Sequence, residues 1–241
     1  MGDAQKGVEG GTMTVDLSLK GSVIIVGGYG GGKTEIAINL ALFMKKRGID
    51  VRVADLDIVN LYFRTREARS LFAHHQIPCI LPEKAYLHAD FPALSPEIGG
   101  LFKSKEGLTL LDCGGDPVGA RVIGTLKEAI GFPSLQMLLV VNPFRPDSGT
   151  EKEVRAIKEG IEKSSGLSIT GIVGNANLMA ETRVDTIIFG YEFVRRLAEK
   201  EGVGLSFITA PDTLANAVME KRLSCPVLPI TRRLLPPWMK S

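Results

Sequence analysis

A short apolar strand, Val23-Ile24-Ile25-Val26, leads straight into Gly27-Gly28-Tyr29-Gly30-Gly31-Gly32-Lys33-Thr34 and then into a helical pattern, Ile36-Ala37-Ile38-Asn39-Leu40-Ala41-Leu42. The middle segment fits G-x-x-x-x-G-K-[ST], and a strand before it with a helix after it is the setting that pattern requires. Glycines let the backbone turn tightly and present successive N–H groups as an anion nest. The helix N-terminus adds the positive end of its dipole. In this reading Gly28, Tyr29, Gly30, Gly31, Gly32, Lys33 and Thr34 surround a polyphosphate; Lys33 reaches its terminal phosphates and Thr34 ligates Mg²⁺. A flexible glycine linker is the alternative, but linkers are not normally bracketed by a buried strand and an amphipathic helix.

Apolar runs at Val51–Ala54, Leu108–Leu111, Leu135–Val141, Ile169–Gly174 and Leu205–Thr209 read as further buried strands. Helical patterns lie between them at Lys33–Arg47, Val118–Ile130, Thr150–Lys163, Ile187–Glu201 and Thr213–Arg222. Such alternation predicts an α/β fold of three layers, a mostly parallel sheet flanked by helices, with ligands at the carboxyl ends of the strands. The stretch Ile77–Gly100 interrupts it: Pro78, Pro82, Pro92 and Pro96 mark an inserted loop region. The chain divides into a loose tail (1–19), one nucleotide-binding domain (20–230) and a second tail (231–241).

Two strand ends carry acids. The second ends in Asp55-Leu56-Asp57, whose alternating geometry puts both carboxylates on one side. Asp55 then serves the metal and Asp57 the attacking water, although either could be a turn former or helix cap. The third ends in Leu110-Leu111-Asp112-Cys113-Gly114-Gly115-Asp116. An apolar strand closing on Asp is the arrangement that holds Mg²⁺ directly or through water. Gly115 is placed to sense the terminal phosphate through its N–H, with Asp116 in the segment that moves.

Gly27–Thr34, Asp55-Leu56-Asp57 and Asp112–Asp116 together resemble the MinD/ParA and nitrogenase-iron-protein class of P-loop ATPases. The resemblance extends over about residues 20–230. It implies a Mg²⁺-dependent ATPase that uses ATP as a switch on a protein partner, with a nucleotide-dependent homodimer. Lys33, Asp57 and Asp116 are then the catalytic residues, and Thr34, Asp55 and Asp112 the metal ligands. Gly171-Ile172-Val173-Gly174-Asn175 is similar to the segment whose Asn contacts adenine, and Pro211-Asp212 to the one flanking the base. The same scaffold also serves ATP-dependent kinases or ligases resembling dethiobiotin and cobyrinic acid synthetases, and a binding module with little turnover is a third reading.

The chain departs from that class at Gly28, where its members carry a signature lysine. Arg64, Arg66, Arg121 and Arg145 are candidates to replace that cation. Gly119 stands where the iron protein has a cluster ligand, and Cys79, Cys113 and Cys225 form no paired motif. His74-His75 reads as a solvated helix end, and Asn142 as a turn former before Pro143. A net charge of +2 gives no broad basic surface for nucleic acid, and no apolar run is long enough for a membrane span. A cytoplasmic setting is expected.

Overall fold

The computed structural model describes residues 16–56, 68–80, 107–114, 119–121, 123–124 and 134–234. Eight strands form one parallel sheet: β1 (Gly21–Gly27), β2 (Val51–Asp55), β3 (Cys79–Ile80), β4 (Leu108–Asp112), β5 (Leu135–Val141), β6 (Gly171–Gly174), β7 (Gly204–Pro211) and β8 (Val227–Ile230). Their order across the sheet is β3-β2-β4-β1-β5-β6-β7-β8. The chain therefore starts in the middle, builds outward to one edge, and crosses β1 to build the other. β1 lies at that reversal, so its carboxyl end opens into the crevice where open α/β sheets bind ligands.

Strand alternation explains the three layers. Val23 and Ile25 of β1 point into one apolar cluster, shared with α1 (Lys33–Lys46) and α2 (Arg69–His74). Ile24 and Val26 point into the other, shared with α3 (Glu151–Ser165), α4 (Val184–Glu201) and α5 (Asp212–Met219). A strand buried on both faces reads as an unbroken apolar run, as β1, β4 and β5 do. Thr150 starts α3 with a capping box, its hydroxyl accepting from Glu153 N–H while the Glu153 carboxylate accepts from Thr150 N–H. Gly166 ends α3 in the left-handed region.

Two strands depart from the sequence reading. Cys79–Ile80, expected inside the inserted loop, pairs with β2 as the edge strand β3, and α2 precedes it. Val227–Ile230 pairs with β7 as the other edge. His74 ends α2 and is exposed with His75, as expected. The expected helix at 118–130 is helical at residues 119–121 and 123–124, and its remainder lies outside the described residues. Among the described residues no helix is long and apolar enough to cross a membrane.

Candidate functional site

The glycine loop leaves the carboxyl end of β1 and turns into α1 at Gly32, whose φ of 93° is left-handed. A Cβ there would sit 2.2 Å from Asn175 Nδ2, so position 32 requires glycine on both counts. Gly32 caps α1 without any side-chain hydrogen bond, which leaves the first-turn amides for an anion. Lys33 folds back over the loop and donates to the carbonyls of Gly27 (3.0 Å) and Gly28 (3.1 Å). Its ammonium is thus held at the loop by the backbone it follows. Tyr29, at the loop's tip, is 83% exposed.

Asn175 follows β6 and is buried. Its amide donates to Gly31 O at 2.7 Å, and its carbonyl accepts from the Thr209 hydroxyl at 2.6 Å. These bonds tie the loop to the ends of β6 and β7. The sequence reads Asn175 as a base contact; the fold adds a bond that the sequence did not show, by which this amide braces the glycine loop. Pro211 closes β7 and Asp212 opens α5 beside it, with the Asp212 carboxylate accepting from the Thr231 hydroxyl.

On the other side of β1, Asp55 and Asp112 are direct partners in the β2–β4 register, and both are buried. Like the Thr34 hydroxyl at the start of α1, they offer only oxygen, the kind of donor a small hard cation takes together with phosphate and water oxygens. Both aspartates have other interactions within the fold. One oxygen of each, Asp55 Oδ2 and Asp112 Oδ1, is buried and accepts no hydrogen bond among the described residues. The residues present therefore fit Mg²⁺. Among the described residues no group of three His, Cys, Asp or Glu side chains could hold a metal by itself. Asp57, Gly115 and Asp116 lie outside the described residues, as do Arg64 and Arg66.

Neighbouring groups fill in the surroundings. Burial pushes the Cys79 thiol up to about 12, and the charges of Asp55 and Asp112 add to the rise against Arg69. At Gly119 a Cβ would lie 2.9 Å from Gly114 O, so no cluster-ligating side chain fits there without backbone movement. Asn142 is the turn former expected: its Oδ1 accepts from Phe144 N–H and its carbonyl from Arg145 N–H, both at 3.1 Å.

On the outer surface of α1, the chain after β8 is clamped to the helix. Thr231 exchanges two hydrogen bonds with the Asn39 amide, and Glu35 accepts the backbone N–H groups of Arg233 and Leu234. Burial raises the Glu35 carboxyl above its usual range, and those two N–H donors only partly offset it.

No protein-family model and no curated protein matches the chain. Solved structures do. The cell division protein FtsY of Thermotoga maritima matches with 18% identity over 81% of this chain and 63% of its own, with a TM-score of 0.58. FlhF complexed with GTP and Mg²⁺ matches with 18% identity, 79% and 66% coverage, and a TM-score of 0.52. The signal recognition particle 54 kDa protein of Aeropyrum pernix, in complex with GDP, matches with 17% identity, 78% and 41% coverage, and a TM-score of 0.51. The chain spans less than two thirds of each of these proteins. The three-layer fold is that of the P-loop nucleoside triphosphatases.

Proposed function

We propose that this chain is a Mg²⁺-dependent nucleoside triphosphatase that uses nucleotide binding and hydrolysis as a switch on a protein partner. One observation carries the reading: Lys33 is held at a glycine loop between β1 and α1, with Asp112 at the end of the adjacent strand β4 and Asp55 paired to it at the end of β2. The loop amides and Lys33 bind the phosphates, and the exposed Tyr29 lies at the mouth. Thr34, Asp55 and Asp112 hold Mg²⁺, which when bound offsets phosphate charge. Asp57 orients a water whose oxygen bonds to the terminal phosphorus. The bond from that phosphorus to the bridging oxygen breaks, the diphosphate leaves with the electron pair, and the water's proton passes to a phosphate oxygen. Gly115 and Asp116 relay the loss of the terminal phosphate.

ATP is the nucleotide that the MinD/ParA resemblance implies, with Asn175, Pro211 and Asp212 on the base side. GTP is the second reading. It is supported by the commitment of the Asn175 amide to Gly31 and Thr209, and by the GTP and GDP complexes among the similar structures. The experiment is equilibrium binding and turnover of ATP and GTP with Mg²⁺. Lys33→Ala is expected to lose binding, and Asp57→Ala to keep binding and lose turnover. Unchanged turnover in both variants would overturn the reading; the base that binds tighter decides between ATP and GTP.

A further inference from the structure

We propose that Arg145 contacts the terminal phosphate of the bound nucleotide and supplies the cation missing at position 28. This rests on the nucleotide-binding reading above. Of the other arginines left open by the sequence, Arg64 and Arg66 lie outside the described residues and Arg121 is exposed. Arg145 instead lies near the glycine loop, with its side chain facing Gly30. A Cβ on Gly30 would meet Arg145 Cδ at 3.8 Å and Nε at 3.9 Å, so the side chain stands about one methyl's breadth from the loop at Gly30.

The turn that carries Arg145 is held on both sides through its backbone. Arg145 N–H donates to Asn142 O at 3.1 Å, and Arg145 O accepts from Ser148 N–H and the Ser148 hydroxyl, each at 3.3 Å. Asn142 in turn donates to Asn177 O, which fixes the turn to the segment after β6. The side chain is half-buried, yet Arg145 makes no ion pair among the described residues. Its Nε is buried and has no hydrogen-bond acceptor among them. A guanidinium carries its charge at any ordinary pH and presents a planar fork that matches phosphate oxygens. A cation without a carboxylate, laid against an anion-binding loop, is matched to an anion arriving in that loop. Position 28, by contrast, offers little space: a Cβ there would lie 3.2 Å from Ile157 Cδ1 of α3.

In the hydrolysis step written above, Arg145 forms no covalent bond; its N–H groups meet charge that develops on the transferring phosphate oxygens. The test compares wild type with Arg145→Ala and Arg145→Lys, using fluorescent adenine and guanine tri- and diphosphates. Turnover, melting temperature and rescue by added guanidinium are measured alongside. A cation in this position is worth about 10³-fold or more in kcat. Arg145→Ala is therefore expected to weaken triphosphate more than diphosphate binding and to slow kcat by at least about 100-fold. Guanidinium should recover part of that loss, and Arg145→Lys should fall between. Equal triphosphate-to-diphosphate preference and equal kcat in Arg145→Ala would overturn the assignment. Joint loss of both nucleotides with a lowered melting temperature and no rescue would mark a merely structural role and overturn it too. If wild type binds neither nucleotide, the function reading fails first and this inference with it.

Discussion

Asn175 and Gly31 are joined by a 2.7 Å hydrogen bond across 144 positions of sequence, and that bond fastens the carboxyl end of β6 to the phosphate loop beside β1. Because Thr209 donates to the other end of the same amide, β7 is part of the brace. The loop's shape is thus set by three strands and not by its glycines alone.

Asn175→Ala leaves the Gly31 carbonyl and the Thr209 hydroxyl buried without this partner. Orphaned buried groups of this kind cost about 1–3 kcal/mol each. A thermal melt is expected to drop by roughly 5–10 °C for a chain of this size. Thr209→Val, which keeps the shape and removes one donor, should cost about 1 kcal/mol. A melt unchanged in Asn175→Ala would show that the brace contributes nothing.

Gly32→Ala tests the loop from the inside. The new methyl meets Asn175 Nδ2 and is forced onto a left-handed backbone. Nucleotide affinity is expected to fall more than about 10-fold, on the order of 1.4 kcal/mol or above. Adding Asn175→Ala removes the clash but not the backbone strain, so the double variant should recover part of the loss. Strict additivity in that double-mutant cycle would contradict the contact.

The Glu35 carboxyl titrates above its unfolded value because it is buried. Between those two values the folded protein holds a proton that the unfolded chain has released. Stability from this group is therefore full below the unfolded value and is lost as pH rises through the folded one. Glu35→Gln cannot titrate, so the difference in stability between the two proteins should change with pH just above 4.5. Denaturant titrations in steps of pH give the slope; a constant difference would refute the argument.

Cysteine reactivity follows from burial. Cys79 is pushed up to about 12 and Cys225 up to about 11, so each remains a thiol at pH 8. Cys113 is inaccessible. Alkylation of the native protein at pH 8 is expected to be far slower at all three than in denaturant, where thiolate forms normally. Mass spectrometry of timed samples checks it, and rapid native labelling of Cys79 would contradict the described environment.

The sheet and its three layers were legible because β1, β4 and β5 are buried on both faces and show it as unbroken apolar runs. Edge strands were not. Cys79–Ile80 is only two residues long and follows Pro78, so it carries no periodicity to read. Val227-Leu228-Pro229-Ile230 holds a proline, which argues against a strand except at an edge, and among the described residues β8 pairs with β7 alone. At the candidate site, the place of Lys33 at the glycine loop and of Asp55 and Asp112 at strand ends was legible because each lies in a local strand–loop segment. The bond from Asn175 to Gly31 was not legible, since no local pattern announces a bond to a residue so distant. Arg145 was one of four arginines until its place facing Gly30 and its buried Nε distinguished it.

Thr34 and Glu35 are neighbours in sequence, and the clamp on Glu35 gives that adjacency a mechanical meaning. The backbone of Arg233 and Leu234 hangs from the first turn of α1, one residue from the Thr34 proposed to ligate Mg²⁺. Tension applied to the chain beyond Leu234 is delivered to that turn, and any tilt of α1 is delivered back. A tether fused to the carboxyl terminus is therefore a handle on the phosphate loop.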